Sequence, residues 1–294
     1  MKRVLFFLFI SFFLPSTAMA SDFYFDSVSS EVTKGDVFIV KLKISTTDNA
    51  INAVDGSISF DKEKLEIKET SAGGSIFSLW PDPVSFFNDK GVLNFVGGVA
   101  GGFQSAEGEI LKIIFLAKEE GKAGINLNTS SLLFLNDGKG TIVPYETKPL
   151  DLLILKRAEG SELKDEWQPF LTEDKTPPES FEIVIGSSPS VFGGNKFISF
   201  FTTDKETGVD YFEIKEGDGP FVKGNSPYEL KDQSLRSKIE VKAVDKADNE
   251  RVVVLKPAGV KNIYQKLLFW GIIILALVFL CLGGKLVWRR KIHY

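Results

Sequence analysis

The chain has 294 residues with 35 basic and 39 acidic side chains, one histidine (His293) and one cysteine (Cys281). With no histidine before position 293, Ser-His and Cys-His nucleophile pairs and histidine-held metals are excluded from nearly the whole chain. Two bases (Lys2, Arg3) sit in an apolar N-terminal end and six (Lys261, Lys266, Lys285, Arg289, Arg290, Lys291) at or after an apolar C-terminal one, with no acid in either; the stretch between carries 27 bases against 39 acids, a net of about −12 that disfavours nucleic acid.

Residues 1–20 place Leu5 to Leu14 behind Lys2 and Arg3 and close on Ala18-Met19-Ala20, the pattern of a cleaved secretory signal peptide. The exported part then has no cysteine, so its domains must hold by core packing alone.

Residues 21–155 read as short strands. Val37 to Ile44, Ala53 to Phe60, Gly91 to Gly97, Glu109 to Ala117, Gly124 to Asn128 and Leu150 to Leu155 alternate or run apolar, and turn signals such as Asn88-Asp89-Lys90-Gly91 stand between them. That spacing predicts a sandwich or barrel. Asp61 to Leu65 has room for one helical turn. Residues 156–178 turn acidic and polar and end on Pro177-Pro178, which predicts a linker with a semi-rigid end; Trp167 and Phe170 are unusual in such a segment. Residues 179–257 return to the β pattern through Lys196 to Thr203, Val209 to Lys215, Ser237 to Val244 and Arg251 to Leu255, enough for a small seven-stranded sandwich.

Residues 266–287 contain an uncharged run, Leu267 to Gly284, of about the length a spanning helix needs. A basic tail, 288–294, follows and predicts a cytoplasmic C-terminus by the positive-inside rule. The expected organisation is therefore all-β, with two β-sandwich domains outside a cell membrane and a single C-terminal membrane pass.

Four segments of the first domain resemble the cohesins, receptor modules of cellulosome scaffolds. They are Val32-Thr33-Lys34-Gly35-Asp36-Val37-Phe38-Ile39-Val40; Ala53 to Asp61 followed by Leu65-Glu66-Ile67; Asn88 to Phe95; and Gly108 to Phe115 with Gly121 beyond. The resemblance covers about 23–155 and implies a nine-stranded jelly roll, related to certain carbohydrate-binding modules, that grips a dockerin-like protein on one flat sheet face. If Val54, Ile58 and Phe60 point inward, the alternation turns Asp55, Ser57 and Ser59 outward; inward Leu93 and Phe95 likewise leave Asn94 and Val96 outward. These five are the candidate partner face. Phe77 and Trp80, in the Pro-bounded stretch Ser75 to Pro83, are either a glycan-contacting loop or the packing that closes one end of the sandwich. Polysaccharide binding by the same jelly roll, and a purely structural envelope or adhesion role, stand as alternative functions; catalysis has little support, since the acids fall mostly in turns.

The second domain resembles bacterial Ig-like repeats through Asp174-Lys175-Thr176-Pro177-Pro178 and through Val241 to Glu250, where Asp248 replaces the family's glycine. Asp245, Asp248, Asn249 and Glu250 supply oxygens for a possible calcium ion, the one cofactor in prospect, and ordinary turn capping explains them equally well.

Overall fold

The computed structural model describes residues 21–47, 49–257 and 267–275. The chain divides into two units at Glu173/Asp174. The expected signal peptide lies outside the described residues. Of the expected membrane span, residues 267–275 are helical and the remainder lies outside the described residues. Among the described residues, no helix is long and apolar enough to cross a membrane.

In the first unit, strands of period two turn one apolar face inward. They are β1 (Ser21–Ser27), β2 (Glu31–Thr33), β3 (Val37–Ser45), β4 (Ile51–Phe60), β5 (Leu65–Ser71), β6 (Leu79–Phe87), β7 (Val92–Phe103), β8 (Gly108–Ala117), β9 (Gly121–Leu127), β10 (Leu132–Leu135), β11 (Tyr145–Lys148) and β12 (Leu150–Leu155). One sheet runs β11-β1-β3-β8-β5, the other β2-β12-β9-β4-β7-β6 with β10 also on β4. Among the described residues twelve strands stand where nine were expected; the short β2, β10 and β11 contribute to the difference, and β1·β11 and β2·β12 pair in parallel. The core between the sheets is sealed by Phe38, Phe60 and Phe115, whose ring centroids lie 5.9 Å (Phe38–Phe115) and 5.4 Å (Phe60–Phe115) apart. At Asp61–Leu65 the backbone makes one turn, Leu65 N–H donating to the Asp61 carbonyl.

Two segments differ from the sequence reading. The Pro-bounded stretch is largely a strand, β6, and it lies at the end of its sheet. An edge strand tolerates Pro81 and Pro83 because an absent N–H costs nothing on the unpaired side. Residues 156–173, expected as part of a linker, are a strap packed on the first unit. Arg157 pairs with Asp36. Val37 N–H donates to the Lys164 carbonyl, Glu166 N–H to the Val37 carbonyl, and Ile39 N–H to Glu166 Oε2. The strap thus satisfies the part of β3 that β1 leaves unpaired, since the β1 ladder stops at Val40. Helix α1 (Trp167–Glu173) follows, started by Asp165, whose Oδ1 accepts from the N–H groups of Trp167 and Gln168. Trp167 buries its ring on Ile39 and Ile114, a cross-strand pair on the outer side of the sheet, separate from the sandwich core.

Among the described residues the second unit has seven strands: β13 (Ile183–Ser188), β14 (Val191–Phe200), β15 (Val209–Glu216), β16 (Val222–Lys223), β17 (Tyr228–Glu229), β18 (Ile239–Asp245) and β19 (Glu250–Leu255). They form sheets β13-β14-β17 and β16-β15-β18-β19. Ile198 and Phe200 of the first sheet meet Ile214, Val241 and Ala243 of the second, with Phe181 and Leu230 closing the core.

Candidate partner-binding face

The inward residues of β4 are Val54, Gly56, Ile58 and Phe60, all buried; Asp55 is exposed and Ser57 and Ser59 half-exposed. On β7, Leu93 and Phe95 are buried while Asn94 is exposed and Val96 half-exposed. Register aligns the outward residues into rows. Asp55 opposes Val96 and Ser57 opposes Asn94. The rows continue onto the neighbouring strands: Leu132 and Asp82 extend the first, Ser85 the second, while Asn126, Ser59, Val92 and Phe87 make a third. The five residues expected from alternation therefore share one surface with five strands beneath it.

Ser57 has a structural duty besides. Asn128 Nδ2 donates to its Oγ at 2.9 Å, its own N–H donates to Ser131 Oγ at 3.0 Å, and Asn128 N–H donates to its carbonyl at 2.7 Å. Tyr145 O–H secures the Ser131 carbonyl at 2.7 Å, and burial pushes that phenol's pKa up. This network pins the turn after β9 to the middle of β4. Asp55 and Asn94 carry no such duty.

The outer side of the opposite sheet is occupied. The strap covers Ile39 and Ile114; ion pairs join Lys41 to Glu109 and Lys43 to Asp26 across strands, Lys43 to Glu107 just before β8, and Lys112 to Glu109 within β8. Hydrogen bonds to Asp26 and then Glu107 raise Lys43 above the ordinary lysine range. Of the two outer surfaces, the one holding Asp55 and Asn94 is the open one.

Phe77 is fully buried, so its ring is closed to any glycan; it belongs to the core. Trp80, half-buried, packs its ring 6.0 Å from Phe77 and 6.4 Å from Phe95. The exposed apolar residues of that strand are Leu79, Phe86 and Phe87, and Lys90 lies over the Phe87 ring at 5.0 Å. Asp82, Ser85 and Phe87 were missed in the sequence because Pro81 and Pro83 disguise their strand as a loop. Leu132 and Asn126 were missed because nothing local shows which strands flank β4.

In the second unit, Asp245 is buried at the end of β18, and its Oδ1 accepts from the N–H groups of Ala247 and Asn249. Asp248 is exposed with φ +64°, and the Glu250 carboxylate turns to Lys242. The four proposed calcium ligands are thus a capped β-turn that leaves Asp248 and Glu250 pointing elsewhere.

Residues 24–147 match the family model described as Cohesin domain, so the chain carries a cohesin domain. Solved structures similar to it include a non-cellulosomal cohesin from the archaeon Archaeoglobus fulgidus, 16% identical, with a TM-score of 0.39 over 46% of this chain and 91% of that one. A type I cohesin–dockerin complex from Clostridium thermocellum is 15% identical, with a TM-score of 0.41 over 47% of this chain and 95% of that one. A cohesin module of a Clostridium perfringens family 33 glycoside hydrolase is 16% identical, with a TM-score of 0.38 over 46% and 98%. No curated protein matches the chain.

Proposed function

We propose that this protein is a membrane-anchored receptor whose cohesin domain captures a dockerin-like protein outside the cell, on the surface formed by the outward residues of β9, β4, β7 and β6. The observation that carries this is the open face within the cohesin segment. Its cross-strand rows mix Asp55, Ser57 and Asn94 with Val96, Val92 and Leu132, a polar and apolar surface of the kind protein partners cover. None of the outward residues of β4 and β7 is engaged in an ion pair among the described residues, so a partner need not break one to dock. The second unit, with three strands facing four, is read as an Ig-like stalk, and the apolar run Leu267 to Gly284 as the anchor.

The direct test immobilises residues 21–257 and measures binding of a set of recombinant dockerin modules and of soluble polysaccharides. Saturable dockerin binding supports the reading. Polysaccharide binding with no dockerin response replaces it with carbohydrate recognition. For the anchor, protease added to intact cells must remove the exterior and spare an epitope placed after Tyr294.

A further inference from the structure

Three aspartates of the second unit, distant in sequence, meet in its interior. Asp174 precedes the first strand, Asp204 lies between β14 and β15, and Asp245 ends β18. One carboxylate oxygen from each lies within 4.8 Å of the others, and their residual exposures are only 1%, 3% and 1%.

Backbone and hydroxyl donors hold the carboxylates in place. Asp174 accepts from Thr176 N–H on Oδ1 and from Thr207 N–H and O–H on Oδ2. Asp204 Oδ1 accepts from the N–H groups of Glu206 and Gly208. Asp245 Oδ2 accepts from the Asn249 amide at 2.9 Å. The other oxygen of Asp204, Oδ2, is buried and accepts no hydrogen bond among the described residues.

Lys205, next in sequence to Asp204, pairs with Glu179. Burial, with the Asp174 charge adding to it, pushes the Asp245 carboxyl up from its ordinary value. Buried like charges held this close are costly and are retained where a proton or a cation neutralises them.

We propose that Asp174, Asp204 and Asp245 bind one calcium ion. The donors are all hard oxygens, which excludes the soft and imidazole-seeking metals. Three carboxylates on three separate segments suit Ca²⁺, which accepts six to eight oxygens in irregular geometry; Mg²⁺ keeps most of its water and takes one or two carboxylates. Asp204 Oδ2 is the oxygen left without a protein partner, and water and carbonyl oxygens complete the shell. The ion would tie the first residue of the unit to the β14–β15 connection and to the β18–β19 turn.

The test uses the full chain in detergent, stripped with chelator and returned to calcium-free buffer. Calorimetric titration must find one Ca²⁺ per chain, with a dissociation constant of about 10⁻⁴ to 10⁻³ M, as in extracellular modules. The unit's melting temperature must rise with Ca²⁺. Asp204→Asn, which keeps the shape and the Oδ1 acceptor, must weaken binding at least about ten-fold, and Asp174→Asn must do the same; Asp248→Asn, at the exposed turn, must bind as wild type. The proposal is overturned by the absence of heat and of any melting shift up to about 10 mM Ca²⁺, ten-fold above that range. It is equally overturned if Asp204→Asn and Asp174→Asn both bind normally, or if Mg²⁺ gives the same shift at the same concentration. A wild type indifferent to Ca²⁺, beside an Asp204→Asn variant that melts higher in chelator, would mean the cluster shares a proton.

Discussion

The indole Nε1–H of Trp167 donates to Oε2 of Glu69 at 2.9 Å, across 98 residues of sequence. Glu69 opposes Ile114 on the β5–β8 ladder, and the Trp167 ring covers Ile114 and Ile39. One side chain therefore ties the strap to three strands of the sheet. Trp167→Ala is expected to cost the first unit roughly 3–5 kcal/mol, the usual loss for a buried large aromatic. Urea denaturation of residues 21–173 measures it. A fragment ending at Leu155 must also melt below one ending at Glu173; equal melting temperatures would show that the strap contributes nothing.

The core strands were legible because their period is unbroken: Val54, Ile58 and Phe60 alternate in β4 and Phe38, Val40, Leu42 and Ile44 in β3, and all are buried. Strand β6 was hidden because Pro81 and Pro83 are local turn signals, and only its position at a sheet edge makes them harmless. The strap was hidden because its contacts are single residues, Arg157, Glu166 and Trp167, set in polar sequence with no periodicity. The outward residues of β4 and β7 followed from alternation alone, whereas the rest of their surface needed the strand order. Of the aspartate cluster, sequence pointed to Asp245 through its turn; nothing local links it to Asp174 and Asp204.

Gly56 occupies an inward position of β4 where its neighbours are large, and a Cβ there would strike the Phe95 ring. The ring fills the space that a side chain at 56 would take. Gly56→Ala is expected to destabilise the first unit by about 1–3 kcal/mol through overpacking. Phe95→Leu in the same chain should recover part of that loss, since it shortens the obstructing group. A double-mutant cycle checks the coupling, and strictly additive effects would show that the two residues do not compete for space.

Acid should act on the second unit in two opposite ways. Burial, then Asp174, raises the folded pKa of Asp245, so the folded state holds that proton more tightly. In chelator its contribution grows as pH falls through the raised folded value and is complete below the ordinary carboxyl value of 3.8. Asp232 is the reverse case: hydrogen bonds from Ser234 and then Ser237 hold its carboxyl well below the usual range. Its contribution is present above 3.8 and is lost as pH falls through the depressed folded value. Melting curves of wild type, Asp245→Asn and Asp232→Asn across pH separate the two. Wild type must gain on Asp245→Asn as pH falls from neutrality, and must lose its advantage over Asp232→Asn only below the first window.

The proposed binding surface makes a sharper demand on Asn94 and Ser57, which oppose each other at its centre. Asn94 is exposed and bonded to nothing that the fold requires, so Asn94→Arg should leave stability within about 0.5 kcal/mol of wild type. A bulky cation at the desolvated centre of an interface should nonetheless weaken capture by about 2 kcal/mol or more, roughly thirty-fold. Ser57→Arg must fail in both respects, because it also strands the Asn128 amide that donates to Ser57 Oγ, a loss of about 1–3 kcal/mol. Lys68→Glu, on β5 of the opposite sheet, should change neither. Binding isotherms and thermal melts of the three variants decide the matter: unimpaired capture by Asn94→Arg would move the interface off this face, whatever Ser57→Arg does.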